Sequence, residues 1–340
     1  MDRMLSQREL NRALLARQLL LDRSPAPLPR ALERVGGIQA QYAPSMYFGL
    51  WSRLRDLDPA AITRGLERRT LVQATLMRST IHLVARDDYW PLWTAIEAGR
   101  RRWWERTGRV EEKRMRAGVE KLRAALADGP LRRKEIDDLL GDKEVARGVG
   151  LYVPMVRVPP SGTWERRRAD LYAAAEDWLG PNNATPDDAL DRLVTRYLRA
   201  FGPATRNDVA GFAGVTVGDV APALERLELR RFGEGLLDLP RAPLPDPGTP
   251  APPRLIGTWD AILLVHARRT GVLAEEHRTR IFSTKTPHSF PTFLVDGTVA
   301  GTWREERGRI RLEPFGRLDA GDRRGLEEEA ERLAAVFWGG

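Results

Sequence analysis

The stretch GPATRNDVAGFAG, residues 202–214, sets a Gly-Pro turn, an arginine and an acidic residue ahead of an apolar helical run. The same order stands in GPLRRKEIDDLL at 129–140, and LSQRELNRALL near the N-terminus has the register without the Gly-Pro. Three copies of one small helical unit are therefore predicted. After the second copy comes LYVPMVRVPPSGTWERRRADLY (151–172), two strand-like pieces around Pro159-Pro160-Ser161-Gly162, which reads as a hairpin with a basic exit arm. After the third, APALERLELRRF reads as the next helix and GLLDLP as a short wing strand. Helices closed by a hairpin are the plan of a winged helix, a device that docks on DNA.

Working outward, Ser6 and Glu9 form a capping box at the head of LSQRELNRALLARQLL, whose leucines recur at a helical period. A turn at SPAPLPR leads to ALERVGGIQAQ, a helical run that weakens at Gly36-Gly37. Asp58-Pro59 opens another helix, and LVQATLMRSTIHLV alternates like strand. RAPLPDPGTPAPPR (241–254) is too rich in proline for helix or central strand and reads as a linker. Beyond it, TWDAILLVHARRT, RIFSTKTP, TFLVDGTVAGTWRE and RIRLEPFGRL read as short antiparallel strands, with Asp296-Gly297 as a hairpin turn, before a closing helix DRRGLEEEAERLAAVF. The expected fold is α+β: three tandem winged-helix units at 1–110, 111–185 and 186–240, the linker, then a C-terminal antiparallel β domain with a terminal helix at 255–340.

Composition narrows the chemistry. The 340 residues hold no cysteine, which removes disulfides and thiolate sites, and the four histidines show no metal-ligand spacing, so no metal and no cofactor is expected. No run approaches the roughly 18 apolar residues of a membrane span, and MDRMLSQREL lacks a leader's apolar core, so a soluble cytoplasmic protein away from the membrane is expected. Lys and Arg total 55 against 47 Asp and Glu, a net charge of +8. That surplus favours polyanions, although arginine richness also follows from base composition of the genome.

Position says more than the sum. Arg132 and Arg133 head the second unit, and Arg206 and Asn207 the third, where helix starts meet phosphates. Arg166 and Arg167 lie on the hairpin arm. Each cluster taken alone reads equally as a solvated face. Arg78 and His82 share the strand-like MRSTIHLV and could face DNA, or His82 could be a hydrogen-bonded structural histidine. Trp103-Trp104 could stack on bases or sit in a core. Gln39 and Gln41 in GGIQAQYAP occupy a helix end or sharp turn, between two permissive glycines and Pro44, where they could cap carbonyls or do chemistry. Tyr42 and Tyr47 line the site or pack; Asp260 and His266 organise a groove or form a turn; Glu33 is a spare carboxylate, with Asp58 read as an N-cap and Asp56 as a loop residue.

The IQAQ motif with its Tyr-Ala-Pro, MRSTIHLV, WERRRADLY, WDAILLVHARR and PTFLVDGTVAGTW together resemble the AlkZ/YcaQ-like tandem winged-helix DNA glycosylases, in order and from about residue 5 to the terminal helix. That resemblance implies Gln39 and Gln41 as catalytic residues. A related branch carries aspartate at the second glutamine; Gln41 sides with the AlkZ-like branch. It also implies an open groove and a basic hairpin entering the minor groove, for which the segment from Arg268 to Lys285, with Arg269, Arg278 and Arg280, is the candidate.

N7-alkylation makes guanine a cationic leaving group, so the protein need only place a water and stabilise the developing sugar cation. An amide carbonyl serves both tasks weakly, which suits a bond that is already labile. No lysine lies near 36–48, so a monofunctional glycosylase is expected, acting as a monomer on duplex DNA with alkylated or crosslinked guanine. The competing reading is a winged-helix regulator that binds DNA without chemistry; such proteins usually dimerise to gain paired half-sites.

Overall fold

Ser6 begins the fold as expected: its hydroxyl accepts from the Glu9 N–H at 3.2 Å while the Glu9 carboxylate accepts from the Ser6 N–H at 2.8 Å, and α1 (Gln7–Arg17) follows. The structure is a computed structural model that describes residues 2–264, 271–283 and 288–339. After α1 come α2 (Leu28–Val35), β1 (Ile38–Gln39), α3 (Ala43–Arg53), α4 (Pro59–Glu67) capped by Asp58, β2 (Leu71–Thr75), β3 (Ile81–Ala85) and the long α5 (Arg86–Glu105). The next group is α6 (Glu112–Ala127), β4 (Leu131–Arg132), α7 (Arg133–Leu140), α8 (Lys143–Gly148), β5 (Met155–Arg157), β6 (Leu171–Ala174) and α9 (Ala175–Leu179). A third runs α10 (Pro186–Phe201), α11 (Arg206–Ala213), α12 (Val217–Arg226), β7 (Arg230–Phe232) and β8 (Leu236–Asp238).

Each group follows one order: helix, short strand, two helices, hairpin. The short strand pairs with the last strand of its hairpin, β1 with β3 and β4 with β6, and in the third group it shrinks to a bridge between Ala204 and Leu237. The structure therefore registers the first repeat differently from the sequence. Its Gly-Pro counterpart is Gly36-Gly37 ahead of β1, and α1 stands outside the unit. The two dipeptides share no side chain and no backbone conformation either, since proline holds φ at about −65° while Gly37 takes the left-handed region. At Gly37, φ is +80°, and a Cβ would lie 2.9 Å from Val84 Cγ1 and 3.1 Å from the Leu83 carbonyl.

The first two groups share one sheet, ordered β1-β3-β2-β5-β6-β4, because β2 pairs with β5 through Gln73 with Arg157 and Ala74 with Val156. The C-terminal part holds β9 (Arg254–Ile256), α13 (Arg278–Ile281), β10 (Phe282–Ser283), β11 (His288–Ser289), β12 (Thr292–Val295), β13 (Thr298–Glu306), β14 (Arg309–Pro314) and α14 (Ala320–Trp338). Its main sheet is antiparallel, β14-β13-β12-β9, and Asp296 (φ 45°) with Gly297 (φ 81°) makes the predicted two-residue turn. Two expected strands differ. Ala261–Leu263 is a 3₁₀ turn, since the Asp260 carboxylate caps the Ile262 N–H at 3.1 Å, and Arg278–Ile281 is one helical turn before β10. An apolar run this short buries equally well either way, so the cap decides. Among the described residues no helix is long and apolar enough to cross a membrane.

The modules are joined by buried guanidinium groups. Arg17 of α1 meets Asp238 of β8 at 2.7 Å, Arg53 of α3 meets Asp260 at 2.8 Å, and Arg254, paired with Glu329 of α14 within the C-terminal part, donates across to the Leu21 carbonyl at 3.1 Å. Arg53→Ala is expected to lose about 3–5 kcal/mol in urea denaturation, because it leaves the Asp260 carboxylate buried and unpaired. A loss below about 1 kcal/mol would show that other contacts hold the domain.

Candidate active site

β1 is two residues long, yet it aims the motif. Ile38 pairs with Leu83 and Gln39 with His82, and the Ala40 N–H reaches the Ile81 carbonyl at 2.7 Å. Strand alternation puts Gln39 and Gln41 on one face and Ile38 and Ala40 on the buried other. The Ser45 hydroxyl, within 2.6 Å of the Tyr42 carbonyl, fixes the bend from this strand into α3.

The two amides are held differently. Gln39 is 5% exposed, and its Oε1 accepts from Arg78 Nη2 at 3.1 Å. Gln41 is exposed, and its Oε1 accepts from the Ile81 N–H at 3.2 Å. Both partners can only donate, so the atom of each amide that faces its partner is the carbonyl oxygen. Each carbonyl keeps a second lone pair.

Arg78 does not alternate with His82 along one strand as the sequence suggested. It sits in the turn Met77–Ser79 at φ 53° and ψ 22°, while β3 starts at Ile81. From there its guanidinium spans two modules: besides Gln39, Nη1 donates to the Phe212 carbonyl at 3.0 Å, and the cation lies 5.6 Å from the Phe212 ring. Gly214 makes this possible, because a Cβ there would lie 2.8 Å from the Arg78 N and Cα. Burial lowers the Arg78 pKa to about 10, so the group stays a cation at neutral pH. Sequence reasoning missed Phe212 and Gly214; the only trace was a glycine ending an apolar run.

The other rim is the basic arm between β5 and β6. Tyr42, 45% exposed, accepts from Arg167 Nη1 at 3.1 Å, and the Arg167 guanidinium stacks 5.0 Å from the Trp164 ring. Tyr47 does not line this rim. It is fully buried, bonded to Thr63 at 3.1 Å, and its hydroxyl accepts from the Trp164 N–H at 2.9 Å, so it positions the arm. Arg132, Arg166 and Arg167 line one groove with Arg168; Arg132 and Arg168 converge on Asp170 at 3.5 and 3.0 Å. Arg133 turns to Asp137 at 2.7 Å. Arg206 and Asn207 are exposed on the first turn of α11.

Other expected site residues lie elsewhere. His82 is 2% exposed, with Nδ1 3.0 Å from the Thr80 carbonyl; burial, then Arg78, push its pKa down to about 3. It is a neutral core residue and does not face DNA. Asp260 is committed to Arg53 and its cap, and Glu33 to Arg30 at 2.7 Å and Arg196 at 3.4 Å. Arg278 pairs with Glu275 at 3.1 Å, and Arg280 stacks 3.8 Å from Phe315. Of the expected hairpin, 271–281 forms turns and α13, while β10 and β11 flank 284–287. His266, Arg268, Arg269 and Lys285 lie outside the described residues. Trp104 is buried, and Trp103 is exposed over 55% of its surface.

Known proteins share this plan. A family model described as DNA glycosylase AlkZ-like matches residues 32–336. The chain is 23% identical, over 354 aligned positions, to an interstrand DNA cross-link repair glycosylase of Streptomyces sahachiroi, covering 94% of this chain and 93% of that protein. The solved structure of the Streptomyces sahachiroi DNA glycosylase AlkZ superposes with a TM-score of 0.82 at 20% identity, over 99% of this chain and 97% of that one.

Two stability measurements follow from the geometry. Arg78→Ala leaves the Phe212 carbonyl and Gln39 Oε1 without their donor and is expected to cost about 1–3 kcal/mol in urea denaturation, with Arg78→Lys losing less. For His82 the folded pKa near 3 lies below the unfolded value of 6.5, so the unfolded chain binds the proton more tightly. Its contribution is whole above pH 6.5, is lost as pH falls toward 3, and levels off below. The denaturation midpoint of His82→Gln is expected to fall less steeply than wild type between pH 6.5 and 4.

Proposed function

The chain belongs to the AlkZ-like DNA glycosylase family, and from that premise we propose that it hydrolyses the N-glycosidic bond of N7-alkylated guanine, including bulky and crosslinked adducts, with Gln41 and Gln39 as the catalytic pair. The supporting observation is the position of Gln41: exposed, its carbonyl pinned by the Ile81 N–H, beside Tyr42 and the arginine arm. In this reading the phosphates of a duplex lie along Arg166, Arg167 and Arg132 on one side and Arg206 on the other, and the lesion meets the amides between them.

The chemistry follows from the leaving group. A cationic purine departs without protonation by the protein, so no strong acid is required at the site. The second lone pair of the Gln41 carbonyl orients the attacking water. Gln39, held by Arg78, lends the same negative dipole end to the sugar as positive charge develops there. The nearby guanidinium opposes that charge, which keeps unmodified nucleotides unreactive and leaves only an already labile bond within reach. Ordinary glycosylases flip the base into a closed pocket, whereas a crosslinked guanine is tied to both strands and must be met where it lies. An amide pair at an exposed rim suits such a substrate. The same activity would protect a cell exposed to a DNA-alkylating natural product, and one chain carrying several docking units needs no second copy.

The test is strand scission. Duplexes containing N7-methylguanine or a nitrogen-mustard crosslink are incubated with protein, then treated with hot alkali to break the strand at abasic sites. Wild type is expected to give scission. Gln41→Ala is expected to reduce it by roughly 100-fold or more while duplex affinity stays within a few-fold. Scission unchanged by Gln41→Ala and Gln39→Ala would refute the assignment, and no scission by wild type would favour a binding protein.

A further inference from the structure

Two arginines inside the shared sheet have no counter-ion. Arg100 of α5 is 2% exposed and Arg157 of β5 is 8% exposed, and among the described residues neither forms an ion pair. Arg157 gives its nitrogens to neutral oxygens: the Ala169 carbonyl at 3.1 Å, Thr75 Oγ1 at 3.0 Å and the Tyr172 hydroxyl at 3.2 Å. Arg100 has less. Nη1 reaches the Thr75 carbonyl at 3.3 Å, its guanidinium lies 4.6 Å from the Trp93 ring, and Nε and Nη2 meet no acceptor. Burying a cation without an opposite charge costs several kcal/mol, and here two of them close on one residue, Thr75. Burial lowers the pKa of both, Arg100 to about 10, and the neighbouring Arg133 lowers Arg157 further. Both remain charged near neutrality.

A cavity of about 180 Å³ adjoins Arg157, between the first and second units; Arg100 does not line it and meets it only through Thr75 and Trp93. Its polar wall is Thr75, Ser79, Arg133, Arg147, Arg157 and Tyr172, and no carboxylate lines it. Arg133 and Arg147 keep ion pairs with Asp137 and Glu144, with 39% and 62% of the arginine side chains exposed. At about 30 Å³ per water, the space takes a tetrahedral oxyanion with waters to spare. Several N–H forks and three hydroxyls, all able to donate and arranged around one volume, match the oxygens of a phosphate group better than a single planar carboxylate. Ser79, exposed in the turn that also carries Arg78, lines this cavity one residue from the guanidinium that holds Gln39.

We infer that this cavity is an oxyanion site that takes a phosphate group. Free inorganic phosphate and a phosphodiester of bound DNA offer the same chemistry, and the site stands on geometry that does not require glycosylase activity. An anion here bridges β2 of the first unit to α7 and α8 of the second, so its occupancy fixes the angle between two of the docking units.

The probe is inorganic phosphate, compared with chloride at equal ionic strength. Phosphate is expected to raise the thermal midpoint of the full chain by roughly 2–4 °C. Arg157→Gln is expected to abolish the shift. If Arg157→Gln does not fold, the double variant Arg133→Gln/Arg147→Gln, altered at positions open to solvent, carries the same expectation. Binding of undamaged duplex separates the sources. Phosphate competing beyond its ionic strength in wild type, but not in the variants, assigns the cavity to a DNA phosphodiester; a thermal shift without that competition assigns it to the free anion. Neither a shift nor specific competition in wild type overturns the inference, as does a shift that survives in a folded variant. No excision is measured, so failure of the proposed chemistry would leave this result intact.

Discussion

The Arg53–Asp260 pair, 2.8 Å long and buried on both sides, is the constraint on which the arrangement of the chain depends. Asp260 follows the proline-rich linker and could otherwise swing with the C-terminal part. Its two oxygens accept from both terminal nitrogens of Arg53, which also donates to the Gly49 carbonyl and to Gln18. Gln18 in turn donates to the Val35 and Ala200 carbonyls. One guanidinium thus holds the ends of α1, α2, α3 and α10 and the start of the β domain. A planar fork with five donors can satisfy that many acceptors at once, and a lysine could not.

Arg78 repeats the device at the cleft. It joins the carbonyl ending α11 in the third unit to the amide of Gln39 in the first, so the orientation of a motif residue is set by a module some 170 residues later in the chain. Gln39 is the inward, fixed member of the pair and Gln41 the outward one. Their carbonyls both accept from groups that only donate, which determines the amide orientation without any assumption about substrate. Burial holds His82 neutral and the same arginine adds to it, so one charge bears on both the rim and the core beneath it.

Local signals were legible where local groups satisfy them. The Ser6–Glu9 box, the Asp58 cap and the Asp296-Gly297 turn formed where the residues indicated, and the hairpin around Pro159-Pro160 formed with the basic arm inside its connection, between β5 and β6, not beyond its exit. Where the partner is distant, the pattern misled. Ala261–Leu263 reads as strand until Arg53 fixes Asp260, and MRSTIHLV reads as one strand until Gly214 allows the Arg78 turn to form against α11. The first repeat was placed on α1 because Gly36-Gly37, which opens the unit, has neither the side chain nor the fixed φ of a Gly-Pro. Glu33, Tyr47 and His82 looked available by proximity to the motif and proved to be engaged in packing or ion pairs.

The sequence by itself determined the α+β class, the repeated helix-and-hairpin units and the identity of the two amides, because helix periodicity, caps, turns and a four-residue motif are properties of neighbours along the chain. The tertiary structure alone decided which amide is exposed, which way each carbonyl points, and which of the many arginines face outward. Those outcomes depend on which carboxylate or carbonyl a guanidinium meets across a module boundary, and a cation that finds a buried partner is lost to the surface, while one that finds none keeps its charge available.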